Sequence, residues 1–178
     1  MVRFVLSVAF VTLLTAPFSF AQESSRQDFD DFCKAWQGRW VGDLALNSDD
    51  PQFGKGDDVV AGLALCQTIE DGNALLARVY MGEESGTWFV SYDSIAKRIR
   101  STWCTAGGNT NQSILYKATD GWIQEGSGSD GEGKIREFKD HVTVTDEGDT
   151  HTWTGSMTLD GEAVKVNPNV WQRVSKEP

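Results

Sequence analysis

The chain has 178 residues, 39% of them hydrophobic, and a formal net charge of −10. That is enough for one ordinary domain with a real core. Such acidity argues against nucleic acid and anionic membrane surfaces as partners, since both select basic patches.

Arg3 precedes an apolar run from Phe4 to Leu14, and Ser19 and Ala21 stand three and one before a cut at Gln22. This is the pattern of a secretory signal peptide over 1–21. It leaves residues 22–178 as the mature domain and implies a secreted or periplasmic location. Pro17 and Ser19 come too early for the roughly 20 apolar residues of a membrane anchor, and no later stretch is apolar enough, so no stable membrane insertion is expected. Residues 22–27 are polar and read as disordered. Phe29, Phe32, Cys33 and Trp36 then take the i, i+3, i+4, i+7 spacing of one helical face. Acidic residues fill the first turn and Gly38 ends this short helix, which would plug one end of the strand region after it.

After Gly38 the chain changes period. Runs rich in Val, Ile, Thr, Trp and Tyr predict strands near 39–46, 57–69, 73–81, 86–92, 97–104, 110–118, 121–126, 134–145, 150–158 and 162–174. Asp71-Gly72, Gly107-Gly108, Asp120-Gly121, Glu147-Gly148 and Asp160-Gly161 supply tight hairpin turns between them. The only long connection is the acidic stretch 47–56. The fold class predicted is all-β: a single antiparallel up-and-down β-barrel of 8–10 strands with a short N-terminal helix.

Alternation groups Trp88 with Val90 and Tyr92, Ile99 with Ser101 and Trp103, Trp122 with Gln124, and Trp153 with Gly155 and Met157. Arg98, Arg100, Thr102 and Cys104 form the other face of their strand. Period two alone does not say which face points inward. Of the three cysteines, hairpin register sets Cys66 opposite the start of the first strand, close to Cys33. A Cys33–Cys66 disulfide is therefore the expected bridge in an oxidising compartment, with no bridge at all as the alternative. Cys104 falls at the opposite rim, free and buried as a small hydrophobe.

Several motifs have bland readings. Gly126-Ser127-Gly128-Ser129-Asp130-Gly131 has dinucleotide-site spacing but leads into a strand pattern, so no helix N-terminus is there to bind phosphate. Ser94-Ile95-Ala96-Lys97 falls in a hairpin turn and lacks the partner motifs of penicillin-recognising hydrolases. His151 pairs near Val144, about 10 Å along the strand from His141, too far for one zinc ion. Asp49, Asp50, Asp57 and Asp58 lack the fixed offsets of a calcium loop and read as a solvated lid. No metal and no cofactor is expected.

Gly38-Arg39-Trp40 opening the first strand after a short helix, with Trp171-Gln172-Arg173 on the last, resembles the calycin superfamily of lipocalins and fatty-acid-binding proteins. Tyr92-Asp93, the run Lys97 to Trp103, and Gly107-Gly108 are similar to lipocalin-like proteins of bacterial genomes. The typical Thr-Asp-Tyr motif is missing. The resemblance implies structural roles for Gly38, Trp40 and Arg173, with the arginine packed across the indole at the closed end.

Seven tryptophans suit the lining of an apolar pocket. The leading functional expectation is a non-enzymatic barrel, monomer or weak dimer, holding a small apolar or amphipathic molecule. Its ligand-binding candidates are Trp88, Tyr92, Trp103, Trp122 and Trp153, with Arg100 anchoring a ligand carboxylate. A solid barrel acting through its acidic surface is the first alternative. The second is a hydrolase-type enzyme on the barrel using His141 and a nearby carboxylate, such as Asp140 or Glu137.

Overall fold

The computed structural model describes residues 22–45 and 58–178. The expected leader and three of the loop aspartates, Asp49, Asp50 and Asp57, lie outside them. Among the described residues one helix, α1 (Arg26–Trp36), precedes eleven strands: β1 (Gly38–Ala45), β2 (Val59–Ile69), β3 (Ala74–Met81), β4 (Glu84–Asp93), β5 (Arg98–Thr105), β6 (Thr110–Ala118), β7 (Gly121–Ser129), β8 (Ile135–Thr145), β9 (Thr150–Leu159), β10 (Glu162–Val164) and β11 (Asn169–Ser175). Each of β1 to β9 pairs antiparallel with the next, and β11 slots between β9 and β1. The result is a closed ten-strand up-and-down barrel, with β10 a short arm on the end of β9.

The final strand departs from the expected 162–174. It breaks into β10 and β11 at 165–168, where Pro168 offers no amide hydrogen and restricts the residue before it. Register enforces the break. The five steps from Val164 to Asn169 face only four on β9, from Met157 to Trp153, so the chain must leave the ladder there.

The helix explains the closed end. Ser25 caps it in a reciprocal box with Asp28, and its buried face is Phe29, Phe32, Cys33 and Trp36, the spacing read from the sequence. Residues 22–25 are not the loose polar lead expected. Ser24 is buried; its amide donates to the Lys97 carbonyl, its hydroxyl to the Leu115 carbonyl, and its own carbonyl accepts from the Tyr92 hydroxyl. Three strand-end contacts tie down one residue, because a buried serine must satisfy its polar groups. At the other end of α1, Gly38 turns the chain into β1 with φ +123°. A β-carbon there would lie 2.2 Å from the Ser175 carbonyl oxygen, so glycine is required.

Arg173 seals the seam. It donates to the carbonyls of Ala35 and Gln37, both at 2.7 Å, and to that of Gly148 at 2.8 Å, while its Nε lies 3.0 Å from an Asp149 carboxylate oxygen. The guanidinium carbon sits 4.4 Å from the centre of the Trp40 ring, a cation–π contact with a neighbour fully screened from water. Placing the cation on the last helical carbonyls also complements the helix dipole.

No bridge joins Cys33 and Cys66; all three cysteines are free thiols. The register expectation was sound as far as it went, because Cys66 does face the first residue of β1, Gly38. Cys33, however, is a full turn back inside α1 and packs with the helix's aromatic face. Burial pushes both thiols up to about 12, so neither forms thiolate near neutral pH. Cys104 is free but exposed, on the outer face of β5.

Candidate functional site

Closure decides the faces. Trp40, Leu75, Ala77, Val90, Ile99, Leu115, Trp122 and Val142 are buried in the interior, and the residues between them stand outside. The helix-side part of this interior is packed solid. Phe32 sits edge-on to both Trp88 and Trp122, at 5.6 and 5.1 Å between ring centres, and Trp36 is edge-on to Trp88 at 5.3 Å. His151 is completely buried between Trp36 and Trp40, its ring centre 4.3 and 4.2 Å from theirs. Neither of its ring nitrogens has a hydrogen-bond partner. Loss of water, with the nearby Arg173 charge second, lowers its pKa to about 3, so the imidazole is neutral.

Beyond this plug the interior is not filled. A cavity of about 280 Å³ opens above Trp36 and Trp88, lined also by Trp103, Trp153, Trp171, Phe138, Ala64, Ala77, Cys66, Met81, Asn111, Gln124 and Asp140. Five of the seven tryptophans therefore line it. Small inward residues make the room. A β-carbon at Gly86 would lie 2.3 Å from the Trp103 ring, one at Gly62 2.8 Å from the Trp171 ring, and one at Gly155 2.3 Å from an Asp140 carboxylate oxygen. Each glycine lets a large or charged neighbour lie flat against the wall. A slot of about 150 Å³ adjoins the cavity where β10 and β11 part. It shares Met81, Asp140, Trp153 and Trp171 with the lumen and adds Val166 and Asn167 from the break.

The lining carries unspent polar groups. Trp36 Nε1 and Trp153 Nε1 are buried donors without acceptors; Asn111 Oδ1 and Gln124 Oε1 are buried acceptors without donors. Gln124 is held so that its oxygen stays free, since Nε2 donates to Ser113 Oγ at 2.8 Å, which in turn shares a hydrogen bond with Ser101. Asp140 faces Gln124 directly across β7 and β8. Its only resolved perturbation is burial, which raises the carboxyl to about 6. Among the described residues, no arginine or lysine lines the cavity.

The expected site residues thus divide. Trp88, Trp103 and Trp153 line the lumen together. Trp122 is buried lower down against Phe32, and Tyr92 packs beside Phe29 at 6.3 Å between rings and donates to Ser24. Arg100 stands on the outer face of β5, paired with Asp93 at 2.9 Å. Trp103 and Arg100 are three apart on one strand and so must face opposite ways. His141 and Asp140 are consecutive and diverge for the same reason: His141 contacts Asp120 at 2.8 Å on the surface, while Asp140 faces the lumen. Glu137 shares the outer face with His141 but stands four residues along β8, so the carboxylate that meets the histidine is Asp120 rather than Glu137 or Asp140. Trp36, Trp171, Gln124, Asn111 and Asp140 also line the lumen, although none of them is among the expected ligand-binding residues. Gln124 and Asp140 were legible as polar residues in phase with Trp122 and Val142, a signal that marks a wet spot on a buried face.

No family model matches the chain, and no curated protein matches it. The architecture is compatible with a calycin-like fold.

Proposed function

We propose that this protein is a small-molecule carrier of the calycin type, exported by its 1–21 leader and holding an amphipathic ligand in the barrel lumen. One observation carries the reading. The barrel is solid at the helix end yet leaves about 280 Å³ open above it, walled by indoles and dotted with buried polar atoms that have no partner. Apolar walls with a few convergent polar groups are the composition of a ligand site, and unpaired buried polar atoms favour an occupant that pairs them. A barrel serving only as a surface would gain stability by filling this volume.

Native mass spectrometry of the protein purified from its own source tests the proposal. The expected result is a chain beginning at Gln22 with a discrete added mass that leaves on denaturation. Release of that mass from Trp103→Ala, but not from the outer-face variant Arg100→Ala, assigns it to the lumen. A chain that carries no added mass, with tryptophan fluorescence unmoved by any amphipathic probe, would remove the carrier reading.

A further inference from the structure

We infer that the lumen is built for a primary amine: a small arylalkyl ammonium whose charged head sits between Asp140 and Gln124 and whose apolar body lies among the tryptophans. This rests on the carrier reading above and names the chemistry of its ligand.

The charge pattern of the cavity is one-sided. Asp140 lies on the wall of both the lumen and the adjoining slot, and no basic side chain among the described residues lines either. Asp140 is half-buried, and a carboxylate partly withdrawn from water without a cation beside it is unfavourable, so the apo site favours one added positive charge. Burial alone raises this carboxyl to about 6, which is the signature of a missing partner.

The polar neighbours specify what kind of cation. Gln124 and Asp140 are direct cross-strand partners, placing their side chains about 5 Å apart at the base. Gln124 presents its free oxygen because its amide nitrogen is committed to Ser113. Asn111 adds a second buried carbonyl oxygen without a donor. At this end of the lumen the Asp140 carboxylate and the two amide oxygens are acceptors, and an ammonium head supplies N–H donors and no acceptor of its own; the Trp36 and Trp153 Nε1 donors are left to other atoms of the guest or to water. The walls suit the same guest. Trp36, Trp88, Trp103 and Trp153 present faces and edges on several sides of the space, and indole faces attract cations as well as burying apolar carbon. At about 280 Å³ the cavity is at the small end of ligand sites, which favours a single ring and short tail. The net charge of −10 draws such cations toward the protein.

The test is titration calorimetry on the full mature chain with three probes of matched body: phenethylamine, phenethyl alcohol and phenylpropionate. The expected order is amine first, by roughly tenfold or more over the alcohol, with the carboxylate weakest because Asp140 repels it. In Asp140→Asn the amine should fall to the affinity of the alcohol while the alcohol is unchanged. Gln124→Leu should weaken the amine by a smaller factor and spare the alcohol. Equal affinity for amine and alcohol, or an amine preference that survives Asp140→Asn, would overturn the inference while leaving the carrier intact. Tightest binding of the carboxylate would do the same. Absence of binding by all three probes, with no cargo in the native spectrum, would remove both.

Discussion

Arg173 at the helix end has three backbone carbonyls, a carboxylate and an indole face around its guanidinium, while Asp140 in the lumen has one cross-strand amide beside it and no cation. Both are ionisable groups half-buried by the same barrel. The difference separates a region finished by its own chain from one left incomplete. At the closed end the buried arginine is matched within the fold, so that end is a seal. In the lumen several polar atoms are unmatched by the chain, which sets that region apart from a satisfied core.

Three substitutions sharpen that contrast, the largest effect first. Arg173→Met leaves the carbonyls of Ala35, Gln37 and Gly148 without their donor in a buried seam. It should destabilise the protein by about 4 kcal/mol, as leaving three screened carbonyls without a donor at roughly 1–3 kcal/mol each does, read as a lower urea midpoint. A loss under about 1 kcal/mol would mean that water replaces the arginine and the end is not sealed.

The closed end should also be acid-sensitive through His151. Its folded pKa of about 3 lies below the 6.5 of the free imidazole. The unfolded chain therefore binds the extra proton between those values, and stability present above pH 6.5 is lost as pH falls toward 3. From pH 7 to pH 4 the loss is on the order of 3 kcal/mol. His151→Phe, which keeps a flat ring between Trp36 and Trp40, should remove this part of the acid slope in paired urea titrations. Parallel slopes in the two proteins would assign acid sensitivity elsewhere.

Asp140 runs the other way. Its folded pKa of about 6 lies above the ordinary 3.8, so the folded state holds its proton longer than the unfolded chain does. The associated stability is present below 3.8 and lost as pH rises through 6. Asp140→Asn should then stabilise the apo protein by at most about 3 kcal/mol at pH 7 and change little near pH 3.5. If Asp140→Asn is destabilising at pH 7, the carboxylate has a structural partner and the contrast with Arg173 collapses.

Much of the fold was open to reading from the chain itself. Phe29, Phe32, Cys33 and Trp36 recur at a helical period, and the strands alternate at period two between Gly-containing turns, so local chemistry dictates each element. The site was legible only in part. Trp88, Trp103 and Trp153 were named because large amphipathic side chains in alternating strands line barrels. Arg100 was misplaced, since alternation groups residues on a face without saying which face closes inward. The Cys33–Cys66 expectation failed on a distance that register along the strands does not measure, the rise of one helical turn.

What the amino-acid sequence determined by itself is therefore local: the helix, the strands, their turns and the pairing of neighbours, each set by periodicity and backbone preference within about a dozen residues. Closure of β11 between β9 and β1 decided the rest. It chose the inward face of every strand and turned Arg173 onto the helix carbonyls. It left Asp140 and Gln124 side by side in an unfilled space. Those outcomes depend on groups far apart in the chain competing for one interior, and no short stretch carries that information.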